Sequence, residues 1–405
     1  MHWLKTFNRV AAGSLAILLS GCTTIKAPKT LFITFGAPAE SFESDNKQIR
    51  SFLNKYTESF QRSNPDTKIV YLPYTSKQFF NEIEADSKLH LGPDLIVIIN
   101  DYAGELLARN LTTTLPNEKY FNEIYNSKIK AAAKSNNGYA AAPWLIDTQI
   151  ACFNKAKIDT SPTTIEDLEV LSASGKKIGL SSNFFELFWT AGTQGAISEF
   201  SSLGSRSASS ATYPAIQTWL KWLQRAALYN NTSFHKDARK MIAQLKANEL
   251  DWITCWGHQL EDLKKTMGNS LGVAALPNGT MSKAYPINII YAFALGKNSS
   301  PTQRKMATQF IKTVVNTVAQ KKVQLDDTGF LAANQNVSIP PESSKIQSAI
   351  NTSYNEQHHS YSKEEPGIDR YWERHPQLGK ALGDLIDGSL DVDEALKIIT
   401  TPQTN

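Results

Sequence analysis

The residues in this sequence that could do chemistry are carboxylates and aromatic rings set at the ends of apolar runs. Asp101 follows Leu95 to Ile99 almost directly in GPDLIVIINDYAGELLARNL, so a buried strand ends on a carboxylate where a helix begins. Such a group either caps the helix or offers an acceptor to a solute beyond the strand end, where open α/β sheets bind their ligands. Asn100 is the weaker candidate beside it. Asp147, in APWLIDTQ, is a charge in an otherwise apolar run, which costs several kcal/mol unless it is paired. It reads as a ligand group or as half of a salt bridge. In DWITCWGHQL, Trp252 and Trp256 fall on one face of an extended chain. One of the pair is expected in the core, and His258 reads as a surface or capping histidine. In SSNFFELFWTAG, an amphipathic helix would bury Phe184, Leu187 and Phe188 and leave Glu186 most exposed.

Catalytic constellations do not stand out. The sequence holds no G-x-S-x-G, no H-E-x-x-H and no Cys/His spacing of a nucleophile or zinc site, and no cofactor or metal is expected. His358-His359 sits in NEQHHSYSKEE and reads as a solvated loop. Lys and Arg are dispersed at a net charge of +4, which excludes a nucleic-acid footprint. Cys152 and Cys255 lie in the apolar runs IACF and WITCWG and are expected as two buried thiols, although an oxidising compartment would permit a bridge.

The elements that must position these residues alternate. The 405 residues, 41% hydrophobic and 20% charged, are enough for two lobes. LFITF, KIVYLPY and LIVII read as strands, separated by a helix whose apolar positions are Ile49, Phe52, Leu53, Tyr56 and Phe60 and by another around Ile83. Parallel strands with right-handed crossovers follow from that order. The pattern recurs later. Ala140 to Asn154, KKIGLSS, ELDWITCWG, SLGVAALP and IIYAFAL read as strands. Thr164 with Asp167 opens one helix; TYPAIQTWLKWLQRAALY and PTQRKMATQFIKTVVNTVAQ are long helices, and two more close the chain near HPQLGKALGDLIDG and DVDEALKIIT. Trp219, Trp222, Tyr371 and Trp372 are expected to pack inside a lobe, and SSLGSRSASSAT to be a solvated loop.

At the N-terminus, Lys5 and Arg9 precede the apolar stretch Val10 to Leu19, too short to span a bilayer and readable as a secretory signal. It ends Leu19-Ser20-Gly21-Cys22, which resembles the bacterial lipobox, with cleavage before Cys22 and acylation of its thiol.

The order of these segments resembles the extracellular solute-binding proteins of bacterial ABC importers, in the sugar-binding group. The motifs that carry the resemblance are GPDLIVIIND, SNNGYAAAPWLIDTQIACFNKAKI, SPTTIEDLEVL, GVAALPNG, GFLAANQNV and LIDGSLDVDEALKII, in that order over roughly 31–400. Two departures are Phe35-Gly36 for the family's Trp-Gly and Ala284-Tyr285-Pro286 before the late strand. The resemblance implies a two-lobe, periplasmic-binding-protein-like α/β fold of type II with the ligand in the interlobe cleft. Its implied division is a signal at 1–21, lipidated Cys22 and a tether to 30, one lobe of 31–145 with 286–330, and a second of 146–285 with 331–405. It implies a non-enzymatic, monomeric receptor on the cell envelope that hands a mono- or oligosaccharide to a membrane permease. A polyamine or glycerol phosphate, or an exported hydrolase, is the alternative. Sugars present hydroxyls to pair and flat C–H faces to stack, so carboxylates and aromatic planes are the residues to expect. The positions that match the family's cleft are Asp101, Asp147, Trp144 (a stacking plane or hinge packing), Trp256, Phe185, Glu186 and Trp189. Phe35 and Glu40 after the first strand, and Tyr285 and Asn288 at the second crossing, complete the set.

Overall fold

The computed structural model describes residues 29–36, 42–74, 78–135, 137–205, 212–326, 328–338, 340, 344–357 and 364–401. Its strands are β1 Lys29–Phe35, β2 Thr67–Leu72, β3 Leu95–Ile99, β4 Thr112–Thr113, β5 Lys134–Ser135, β6 Gly138–Tyr139 and β7 Ala142–Asn154. Beyond them come β8 Ile178–Ser181, β9 Thr232–His235, β10 Trp252–Trp256, β11 Leu271–Ala274, β12 Asn288–Gly296 and β13 Leu331–Ala332. The main sheet runs β2-β1-β3-β12-β7-β10-β8-β9, with β4, β11 and β13 paired off that path.

One strand serves both halves. β7 is 13 residues long and buried throughout. Its first half pairs antiparallel with β12, from Ala142 opposite Phe293 to Thr148 opposite Asn288. Its second half pairs antiparallel with β10, Gln149 opposite Trp256 and Phe153 opposite Trp252. Around β12 the first half builds β1, β2 and β3 as a parallel set; around β10 the second adds parallel β8 and β9.

The continuous apolar runs follow from helices on both faces of each sheet. Within β3, Leu95 and Val97 point into a core shared with Phe52, Phe60, Phe310 and Ile311, from the helices Phe42–Ser63 and Pro301–Val315. Ile96 and Ile98 point the other way, onto Phe79 and Leu106. The same alternation sorts β10: Ile253 and Cys255 meet Met241, Leu245 and Leu263, whereas Trp252 and Trp256 enter the core of Trp189, Trp219 and Leu223. Trp219 and Trp222 are buried on the helix Pro214–Ala227. Thr164 and Asp167 form a capping box at the start of the helix Ile165–Ala173.

Two expectations are corrected here. Cys152 and Cys255 are joined by a disulfide, with Cα atoms 5.8 Å apart. They lie on adjacent antiparallel strands, where Cys152 faces Ile253 and Cys255 faces Ile150, so the two side chains project diagonally from one face within bridging reach. Residues 201–204 are not loop but the end of the helix Ile197–Gly204, because Ile197, Phe200 and Leu203 recur on one buried face. No helix among the described residues is long and apolar enough to cross a membrane. Cys22 and the signal segment, Glu40 and His358-His359 lie outside the described residues.

Candidate functional site

The turn after β3 decides what Asp101 does. Asn100–Tyr102 form a single 3-10 turn, and the helix Ala103–Ala108 follows with no side-chain cap. The capping role is therefore not used, and Asp101 stands exposed on the turn. Although open to solvent, its carboxylate is crowded by surrounding protein that strips part of its hydration, and the Asp369 charge adds repulsion; together they push its pKa up to about 6. Buried Asn100 is a structural tie, its amide donating to the Ala132 carbonyl at 2.7 Å.

Asp369 lies on the helix Glu365–Arg374. Its own carboxylate is held above the usual range by desolvation and by Glu373, against the opposing charge of Arg370. On the same helix Trp372 meets the Phe185 ring edge-on at 5.7 Å. The Trp372 indole N–H is buried and makes no hydrogen bond among the described residues. Glu365 accepts a hydrogen bond of 2.7 Å from the Tyr285 hydroxyl.

A wall of rings is built where β8 and β10 end. Asn183 caps the short helix Phe184–Leu187 by accepting from the backbone N–H groups of Phe185 and Glu186. That cap turns Phe185 outward, 38% exposed. Its ring lies near-parallel to Trp256, 11° between planes and 6.5 Å between centroids. Trp256 in turn lies at 27° and 6.3 Å from the His258 imidazole. Glu186 is half-buried beside this wall, and its backbone carbonyl accepts from the Gln149 amide at 3.0 Å.

Several expected residues lie elsewhere. Asp147 is fully buried on β7, its Oδ2 2.6 Å from His258 Nδ1 while Oδ1 accepts the His258 backbone N–H at 3.2 Å. His258 is accordingly no surface histidine: its side chain is 9% exposed and paired with that carboxylate. Trp144 is core, edge-on to Tyr56 at 5.8 Å and tilted on Phe293 at 5.1 Å. Trp189 is enclosed in the second half's core against Trp252. Tyr285 is buried edge-on to Phe188, and Asn288 is buried with its amide donating to the Pro286 carbonyl at 3.3 Å. Phe35 is buried at the end of β1, with the Arg50 guanidinium 5.7 Å over its ring.

The fold thus sets exposed Phe185, with half-buried Glu186 and Trp372 beside it, against the buried ring of Trp256, and places Asp101 within electrostatic reach of Asp369. Glu365, Asp369 and Trp372, at i, i+4 and i+7, share one helical face. That spacing was the sequence signal for an element otherwise read as lobe packing. Ring planes with carboxylates beside them suit a solute that has flat apolar faces and polar edges. No cluster of three or more metal-ligating side chains occurs among the described residues.

A family model described as bacterial extracellular solute-binding protein matches residues 55–351. Over 202 residues the chain is 25% identical to the maltodextrin-binding protein MdxE of Bacillus subtilis (strain 168), a match covering 46% of each. The chain thus spans about half the length of that curated relative. Among solved structures, the GacH receptor of Streptomyces glaucescens, known unliganded and with acarbose, is similar with a TM-score of 0.72 at 12% identity, over 92% of this chain and 97% of that one. A cyclo/maltodextrin-binding protein complexed with maltotetraose matches with a TM-score of 0.67 at 15% identity, over 93% and 97%. A maltodextrin-binding protein of L. casei BL23 without ligand gives 0.67 at 15%, over 93% and 100%. At these identities the likeness is one of fold, the two-lobe α/β architecture of the periplasmic binding proteins.

Proposed function

Because the chain belongs to the bacterial extracellular solute-binding protein family, we propose that it captures a mono- or oligosaccharide between its lobes and delivers it to an ABC permease. The observation that carries the sugar reading is the ring wall: Phe185 exposed and near-parallel to Trp256, with Trp372 at its edge. The exposed Phe185 plane stacks on the C–H face of a pyranose with the buried Trp256 ring backing it, while Asp101 and Glu186 accept from its hydroxyls. The relatives named above, maltodextrin binders among them, point the same way. In this reading the lobes comprise 31–145 with 286–330 and 146–285 with 331–405, Cys22 carries the lipid that keeps the exported receptor at the membrane, and the receptor is a monomer that returns its ligand chemically unchanged.

A cationic solute such as a polyamine is the second reading. It is favoured by Asp101 and Asp369, which approach within electrostatic reach although neither forms an ion pair among the described residues.

Thermal unfolding in the presence of candidate solutes separates the two. A ligand at about 100 times its Kd stabilises by about 2.7 kcal/mol, and maltotetraose or a shorter sugar is expected to raise Tm accordingly. A rise with polyamine and none with any carbohydrate would overturn the sugar reading.

A further inference from the structure

We propose that Asp147 is a positioning residue, which through His258 holds Trp256 at the angle of the ring wall and does not itself touch the solute. The inference rests on the reading of that wall as the solute-binding surface, and deepens it. Both carboxylate oxygens are occupied by the same residue, Oδ1 by the His258 backbone N–H and Oδ2 by its ring nitrogen. The group is fully buried, so it has no face to offer a ligand. What it holds is the next member of a near-parallel stack: His258 lies at 27° to Trp256, and Trp256 at 11° to Phe185.

The backbone around this pair leaves it little freedom. A Cβ on Gly257 would lie 2.0 Å from the Gly329 carbonyl oxygen and 2.8 Å from Asp147 Oδ1. A Cβ on Gly329, whose φ is +86°, would lie 2.0 Å from the Gly257 oxygen. Only glycine fits at either position. Three segments therefore meet at one point: β7 with Asp147, the turn after β10 with Gly257 and His258, and the segment leading into β13 with Gly329. Trp256 is also pinned by pairing opposite Gln149 on β7, two residues from Asp147, and its backbone N–H donates to the Gln259 side chain at 3.0 Å. The wall is thereby registered to the strand that joins the two halves of the sheet.

A mutant cycle read by near-ultraviolet circular dichroism on the ligand-free protein tests this. The Trp256 signal is defined as the part lost in Trp256→Phe. Asp147→Ala and His258→Leu are expected to change that signal alike, and the double variant no more than either single one, as for residues acting in series. Asp147→Asn keeps an acceptor oxygen and the side chain's shape, and is expected to restore it. With maltotetraose as probe, the Ala and Leu variants should each lose about tenfold in affinity, a coupling of the size seen between contacting residues, and Asn close to none. If Asp147→Ala does not fold, His258→Leu and Asp147→Asn carry the cycle. A Trp256 signal indifferent to His258→Leu overturns the proposal. So does an Asp147→Asn variant that loses maltotetraose with the Trp256 signal intact, since the carboxylate would then act on the solute directly. A wild-type protein that binds no carbohydrate sinks the proposed function, while the ligand-free signals still decide the positioning role.

Discussion

At the scale of single residues, Phe185 and Trp144 are aromatic side chains with opposite fates. Phe185 is held outward by the Asn183 cap, so Phe185→Ala is expected to weaken maltotetraose binding about tenfold, 1.4 kcal/mol, with little change in Tm. Trp144 is enclosed by Tyr56 and Phe293, and Trp144→Ala should cost about 3–5 kcal/mol in denaturant titration. Calorimetry and urea melts on both variants check the contrast; a Trp144→Ala protein of normal stability and poor affinity would reverse the assignment. Asp101 gives a pH prediction whose sign follows from its raised pKa. Between about pH 4, where the unfolded carboxyl titrates, and about 6, the folded protein binds more protons than the unfolded chain. The carboxylate's destabilising effect is therefore full above pH 6 and gone below about pH 4. Asp101→Asn should melt above wild type at pH 7, with the gap closing as the pH falls to 4. A gap that widens on acidification contradicts this. The position of Asp101 at a strand end was legible from its sequence; its freedom from capping was not, because the helix closes its own first turn around it.

Among the elements, the helix Glu365–Arg374 was the least legible and matters most. Its i, i+4, i+7 face was present in the sequence, but what that face opposes is set by β3, more than 260 residues earlier. Tyr285 ties this helix to the segment before β12 through Glu365. Tyr285→Phe removes a hydrogen bond to a charged acceptor and is expected to cost about 1.5–3 kcal/mol in urea unfolding. A loss well below that range would show that packing alone seats the helix. Strands read far better than pairings. The run WITCWG announced a buried strand, yet nothing in it tells that Cys255 would face β7 two positions from Cys152. The bridge closes a loop with a sequence separation of 103. Reduction should lower stability by about 2–5 kcal/mol, the usual cost of removing a native disulfide, measured by guanidinium titration with and without reductant. Indifference to reductant would count against the bond's contribution.

For the whole molecule, β7 is the shared member of both halves, and the ring wall grows out of the half that β10 organises while Asp101 belongs to the other. Lipid attachment is tested at this scale: Cys22→Ser is expected to release the protein from membranes in cell fractionation or leave it unprocessed, and unchanged retention would refute the anchor. By itself the sequence determined the strand–helix alternation and several helices, because apolar periodicity and capping are local properties that neighbouring residues settle among themselves, and its ordered motifs carried the resemblance to the family. PTQRKMATQFIKTVVNTVAQ, read as one helix, is two, Pro301–Val315 and Thr317–Leu325, with Asn316 capping the second. Only the tertiary structure decided which side chains meet. Asp147 became the buried partner of His258, 111 positions away, and not a residue open to solute. Trp372 joined the wall from a helix near the C-terminal end. The physical reason is that a site made between elements depends on strand register and on how helices lie across a sheet. A shift of one residue in strand register would turn the same side chains to the other face.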